Sequence, residues 1–238
     1  SANSIKYTGA IPILIDADPN TWQMDLDLLE SFLHNKTTLN SIGERILKSD
    51  GKCVRTIMPV HIQGNIFDVD RFKIICEKYN ISFIEDAAEA LGSKYKGKSS
   101  GTFGKMGVFS FNGNKIISSG GGGVIITNDE SIAKKAKHLT TTAKTDPMLY
   151  HHDQVGYNYR LVNILAAVGV AQMEQLQEFV QKKQYIGEFY KTNLKDVGDI
   201  KFQHIKNDVE HNNWLFTIQT TKQKKLLQYL NFNKILSR

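Results

Sequence analysis

Short apolar, β-branched runs alternate along this chain with stretches of helical spacing, and that alternation constrains the fold more than any single motif. Residues 11–15 (IPILI), 54–60 (VRTIMPV), 81–84 (ISFI) and 108–111 (VFSF) read as strands. Between them, residues 25–33 set Leu26, Leu29 and Leu33 on one helical face, and residues 70–79 do the same with Phe72, Ile75, Cys76 and Tyr79. Strand, helix, strand in this rhythm predicts parallel pairing with crossover helices on the faces of the sheet, an α/β fold. Ligands in such sheets bind beyond the carboxyl ends of the strands. Glu85-Asp86 ends one of those runs.

The remaining segments fit around this pattern. Residues 1–8 read as the tail of a helix closed by Gly9, which predicts that more chain precedes them. Residues 35–52 are polar and weakly patterned, an exposed excursion, and His61 to Asn65 form the loop after the second strand. Residues 87–91 suggest a tight helical turn of small side chains, 124–127 a strand, and 129–138 a helix with Ile132, Ala133 and Ala136 inward. Residues 140–159 read as loop, 161–194 as a long apolar stripe in one helix or two, 214–221 as a strand and 222–231 as a helix. This places a large domain at 1–175 and a linking helix with part of a smaller α/β domain at 176–238.

Charge raises nucleic acid as a partner, since the net charge is +6. The lysines, however, fall in short clusters inside helical patterns (134–137, 182–183, 222–225) and read as solvated helix faces, so no nucleic-acid partner is expected. No apolar run approaches the roughly 20 residues of a membrane span, and no signal-peptide pattern opens the chain; a cytoplasmic location is expected, without membrane association. Cys53 and Cys76 read as buried free thiols, and the His151-His152 pair lacks zinc-site spacing, so no metal is expected. Residues 92–99 (GSKYKGKS) satisfy the P-loop pattern letter for letter. A P-loop needs a strand running straight into it and a helix starting at its Lys-Ser. Here residues 87–91 intervene and Ser100-Gly101-Thr102 comes next, so an exposed hairpin is expected and a nucleotide hydrolase is the alternative.

The chemistry points to residues 108–124 (VFSFNGNKIISSGGGGV). Lys115 sits just past a strand end, on an apolar turn that leads into four glycines, and is either a snorkelling surface residue or a buried amine with a function. With Asp86 at a neighbouring strand end, an amine and a carboxylate would face one crevice, the arrangement that pyridoxal phosphate chemistry requires. A hydroxyl such as Ser110 would help to anchor the phosphate.

Three motifs in order, EDAAEALG (85–92), FSFNGNK (109–115) with its glycine loop, and GYNYRL (156–161), resemble the DegT/StrS-type sugar-nucleotide aminotransferases; Gly9-Ala10-Ile11-Pro12 and Pro59-Val60-His61 extend the likeness along nearly the whole chain. The resemblance implies a fold-type-I α/β/α sandwich with a mixed, mainly parallel sheet. It implies pyridoxal 5'-phosphate, with Lys115 as the Schiff-base lysine and proton shuttle and Asp86 as partner of the pyridine nitrogen. Ala88 would lie against the ring, Glu89 near the ring hydroxyl, and Ser110 and Asn112 in the cofactor site. Asn158 would reach the cofactor phosphate of a neighbouring subunit, giving a homodimer with a shared active site. Many relatives have histidine at position 112 and GEGG at 120–123; the versions here resemble the branch acting on UDP-linked 4-keto-6-deoxy-N-acetylhexosamines. The implied reaction moves an amino group from an amino acid, L-glutamate, to the keto carbon of such a nucleotide sugar for bacterial surface glycans. Lysine at 115 favours transamination over the dehydration run by relatives with histidine there. Family members carry further segments at both ends, including a Gly-Thr phosphate loop. A non-catalytic dimerising relative is the second alternative.

Overall fold

The computed structural model describes residues 1–146 and 148–238; Pro147, inside the expected loop 140–159, lies outside them. The chain opens on α1 (Ala2–Tyr7), with Gly9 soon after its C-terminal end at φ 79°. Residues 11–15 do not form the expected strand. Ile11, Ile13 and Leu14 lie exposed, and Pro12 has no amide hydrogen for a ladder; the next pairing is the isolated antiparallel bridge from Ala17 to Met24. Next, α2 (Leu26–Lys36) starts at Asp25, whose carboxylate accepts from the amides of Asp27 and Leu28, and it buries Leu26, Leu29 and Leu33. Residues 35–52 are more ordered than their pattern suggests. There β1 (Thr37–Leu39) pairs antiparallel with β2 (Arg45–Leu47), and the Asn40 side chain makes the turn by accepting from the amides of Ile42 and Glu44.

The crossover motif then appears as expected. From β3 (Thr56–Ile57) the chain runs through a short 3-10 turn and α3 (Val69–Lys78), capped by Asp68, to β4 (Ser82–Phe83), which pairs parallel with β3. One residue later β5 (Glu85–Asp86) begins. Residues 87–91 form hydrogen-bonded turns, Ala90 N to Ala87 O at 2.9 Å, instead of a turn of α-helix, because Gly92 at φ 87° redirects the chain. β6 (Lys94–Tyr95) and β7 (Lys98–Ser99) make the expected hairpin, turning at Lys96 (φ 49°) and Gly97 (φ 75°), the two-residue geometry that matches strand twist. β8 (Gly107–Ser110) lies between β5, parallel, and β9 (Gly123–Ile126), antiparallel.

Downstream, α4 (Glu130–Thr140) is a surface helix on which Ile132 and Ala136 are half-buried and Ala133, expected inward, is exposed. A small hairpin, β10 (Lys144–Asp146) with β11 (His151–His152), occupies part of the expected loop. The long stripe resolves into two helices, α5 (Asn163–Glu174) and α6 (Leu176–Leu194), broken at Gln175. β12 (Lys201–Phe202), β13 (Val209–Glu210), β14 (Ile218–Gln219) and α7 (Gln223–Phe232) complete the chain, with β13 joined to β6 and β14 to β12. The strand expected at 214–221 shortens to β14 because Trp214 turns toward the candidate site instead, its indole nitrogen bonded to Asn114 O.

The main core lies between α2, α3 and β4, where Phe72, wholly buried, packs its ring 4.7 Å from Phe67 and 4.9 Å from Phe83, centroid to centroid. Burying such a ring contributes about 1.5–3 kcal/mol. Cys76 belongs to this core, and burial pushes its thiol up to about 12; Cys53, expected to be buried, is exposed on the strand-poor segment after β2. No described helix is long and apolar enough to cross a membrane.

Candidate active site

Side chains on a strand alternate between faces, and β5 uses that alternation to separate two carboxylates. Glu85, 1% exposed, points inward. Its oxygens accept from the amides of Gly101 (2.8 Å), Phe103 (2.6 Å) and Gly104 (2.7 Å) and bond His61 Nε2 at 2.9 Å. Burial pushes its carboxyl up, but the His61 bond and the loop amides outweigh this and hold it below the ordinary value. Asp86 is at the carboxyl edge. Its backbone is locked on both sides, the amide donating to Pro59 O and the carbonyl accepting from the His61 amide, each at 3.0 Å. Its Oδ1 accepts from the Ala88 amide (3.1 Å) and its Oδ2 from the Ser1 hydroxyl (2.5 Å). No helix starts at Asp86.

Parallel pairing puts the end of β8 at the same edge, with Asp86 opposite Val108 and Ser110 two residues further on. The Ser110 hydroxyl accepts from the Asn112 amide at 3.2 Å. Asn112 O accepts from the Lys115 amide at 3.1 Å, closing the turn that carries the lysine, and Ile117, 1% exposed, anchors the start of the glycine loop. Lys115 is a mostly covered amine, its side chain 13% exposed. Its Nζ lies 3.6 Å from Glu89 Oε1 and 4.1 Å from the centroid of the Trp214 ring. The other Glu89 oxygen accepts from the Gln63 amide at 2.7 Å. The glycine loop is needed at particular positions: at Gly122, φ 83°, a Cβ would come 2.5 Å from Leu161 Cδ1, and at Gly123 one would come 2.5 Å from Phe109 O.

The structure therefore gathers Asp86, Ala88, Glu89, Ser110, Asn112 and Lys115 along one edge. Asn158 stands apart from them, exposed, in a bridge to Thr141 and sharing no hydrogen bond with that group. Residues 92–99 offer no phosphate cradle, since Lys98 and Ser99 are exposed strand residues of β7 and no helix begins there. A cavity of about 160 Å³ lined by Asp18, Asn65, His204 and Lys206 is elsewhere, and none of the sequence-derived site residues line it. Among the described residues no cluster of three or more His, Cys, Asp or Glu is arranged to hold a metal. Trp214, Gln63 and Asn212, which build the site from outside the motifs, carry no periodic or motif signal; the nearest clue is a tryptophan at the head of an expected strand.

The whole length, residues 1–238, matches the model of the DegT/DnrJ/EryC1/StrS aminotransferase family. The chain belongs to that family. GDP-perosamine synthase of Escherichia coli O157:H7 is 40% identical over 220 residues, 92% of this chain and 55% of that protein. UDP-4-amino-4,6-dideoxy-N-acetyl-beta-L-altrosamine transaminase of Campylobacter jejuni is 31% identical over 232 residues, 97% of this chain and 54% of the relative. Among solved structures, a DegT DnrJ EryC1 StrS aminotransferase from Brucella abortus superposes with a TM-score of 0.87 at 26% identity, covering 98% of this chain and 59% of that one. This DegT/StrS chain thus spans about half the length of the curated relatives it matches. Its fold is the α/β fold of these aminotransferases, in agreement with the expectation from the motifs.

Proposed function

We propose that the protein is a pyridoxal 5'-phosphate-dependent aminotransferase that moves an amino group from an amino acid, L-glutamate, to the keto carbon of a nucleotide-linked 4-keto-6-deoxy sugar. The observation that carries this reading is the covered amine of Lys115 against Glu89, on the turn after β8, with the Asp86 carboxylate at the end of the neighbouring parallel strand. The donor set fits the cofactor: one amine free of backbone bonds, one carboxylate at the strand edge, a small residue (Ala88) and a hydroxyl (Ser110) with amides beside it. When bound, the cofactor supplies an aldehyde that accepts the amino group and a ring that delocalises the electron pair left as a proton leaves the substrate carbon. In this reading Lys115 holds the cofactor and moves that proton. Asp86 would keep the ring nitrogen protonated, Ala88 would support the ring, Glu89 would lie near the ring hydroxyl, and Ser110 and Asn112 would belong to the cofactor site.

The relatives' names support a nucleotide sugar and pull in two directions on the nucleotide, one naming a GDP sugar and the other a UDP sugar with a 4-amino-4,6-dideoxy pattern. The Asn112 and all-glycine loop favour the UDP-linked N-acetyl sugar. Asn158, exposed, is assigned to the cofactor phosphate of a second subunit. The apolar side chains that α5 exposes, Ile164, Val168, Val170 and Met173, support that homodimer. A cytoplasmic location and the large-domain boundary near residue 175 belong to the same proposal. The test uses the full-length protein with pyridoxal phosphate. It should turn yellow, borohydride should fix the cofactor to the peptide containing Lys115, and glutamate should bleach the colour, with UDP- and GDP-linked keto sugars restoring it to different degrees. A colourless protein indifferent to cofactor would refute the reading. Lys115→Ala should lower turnover by about 10²–10⁴-fold, the usual share of a positioned acid–base group, and abolish the fixed adduct.

A further inference from the structure

The residues that hold Lys115 in place come from far downstream. His211 Nε2 bonds Gln63 O at 2.9 Å. Asn212, wholly buried, donates through Nδ2 to Glu89 O (2.8 Å) and Leu91 O (2.9 Å), its amide donates to Ser93 Oγ (3.0 Å), and its Oδ1 accepts the Trp214 amide (3.0 Å). The Trp214 indole N–H donates to Asn114 O at 2.7 Å. The segment 211–214 thus ties together the loop at 62–64, the turn at 89–91 and the lysine turn at 112–115. Trp214 itself is 6% exposed, and the face of its ring carries the Lys115 ammonium 4.1 Å from its centroid while Glu89 Oε1 approaches from 3.6 Å.

We propose that Trp214 is a positioning residue for Lys115: its ring face and Glu89 form a seat for the lysine ammonium during the part of each cycle in which that amine is not bonded to cofactor. The inference rests on the aminotransferase reading, because only a two-stage transfer leaves Lys115 free and required to return. An unseated lysine on a glycine-flanked turn samples many rotamers. A seated one stays within reach of the reacting carbon. The aromatic face favours a cation over water there, and the N–H bond to Asn114 O keeps the ring and the lysine turn in register.

The test compares Trp214→Phe, which keeps a ring face and loses the N–H, with Trp214→Met, which fills the space without a ring. Trace acetylation with acetic anhydride, read by peptide mass spectrometry on the full-length protein with pyridoxamine phosphate and again without cofactor, reports how well Lys115 is held. Relative to surface lysines, Trp214→Met should raise Lys115 labelling about 3- to 30-fold and slow the glutamate half-reaction by a similar factor with the glutamate KM unchanged, whereas Trp214→Phe should stay within about 3-fold of wild type. Wild-type labelling and rates in both variants would overturn the proposal. So would Trp214→Phe failing as badly as Trp214→Met, which would leave only the N–H anchor. A measurement on the wild type decides the matter if a variant does not fold: the ε-methylene protons of Lys115 should resonate upfield of other lysines, shifted by the indole ring current, and an unshifted signal would overturn the seat. A wild type that takes up no cofactor would refute the aminotransferase reading, while the labelling without cofactor and the ring-current shift would still decide the role of Trp214.

Discussion

Glu85 and Asp86 are adjacent, chemically alike and placed in opposite surroundings, one with three amides and a histidine around a buried carboxylate, the other at the strand edge. Sequence motifs find both positions but describe only the second, because the first acts through backbone amides at 101–104 that no residue pattern announces. The same holds for the glycines. A run of four suggests close approach without saying where, and the structure assigns it unevenly: Gly122 meets Leu161 at positive φ, while Gly121 has open space around its missing Cβ. Gly122→Ala should therefore destabilise the protein by about 1–3 kcal/mol, the cost of a strained backbone position, and Gly121→Ala should be close to neutral, read as urea midpoints. Lys115, Asp86, Ala88, Glu89, Ser110 and Asn112 were legible as a group because each lies within a motif. Trp214 was not, since its partner Asn114 is 100 positions away and its own neighbours read as a strand.

Elements were legible where a stripe meets a cap. α2, α3 and α4 start at Asp25, Asp68 and Asp129, each accepting amides of its first turn, and each continues with apolar residues at helical spacing. Residues 11–15 show the opposite case, β-branched chemistry with no strand to pair against, which only tertiary placement decides. Within the element-scale packing, Phe72→Ala should cost about 3–5 kcal/mol, seen as a lower urea midpoint, because α3 loses the ring that joins it to Phe67 and Phe83. The end of β5 gives a pH signature. The Glu85 carboxyl is lower in the fold than its ordinary 4.5, so its ionised form favours folding; that contribution is complete above about pH 4.5 and is lost as pH falls through the lower folded value. Glu85→Gln should be less stable at neutral pH and flatten the acid limb of a stability–pH curve measured by urea unfolding.

At the scale of the whole molecule, α5 is apolar around much of its circumference and leaves Ile164 77% and Val170 62% exposed, more apolar surface than a helix facing water ordinarily keeps. If a second copy covers this face, Ile164→Glu should shift the full-length protein from dimer to monomer in sedimentation velocity and weaken cofactor retention with it, because Asn158 of one subunit would no longer reach the site of the other. The α/β plan itself was legible from the alternation of strands and helices, whereas the joining of β13 to β6 was not, since the paired residues Val209 and Tyr95 belong to distant segments with no shared pattern.

The tie between Trp214 and the lysine turn also has a bearing on synthesis. A ribosome adding about 5–20 residues per second needs about 5–20 s to travel the 100 positions from Asn114 to Trp214. During that interval the nascent chain already contains α2, α3, β4 and the aromatic cluster that unites them, while the amine-bearing turn still lacks its indole clamp. The edge that carries Lys115 is therefore completed only after the scaffold on which it rests.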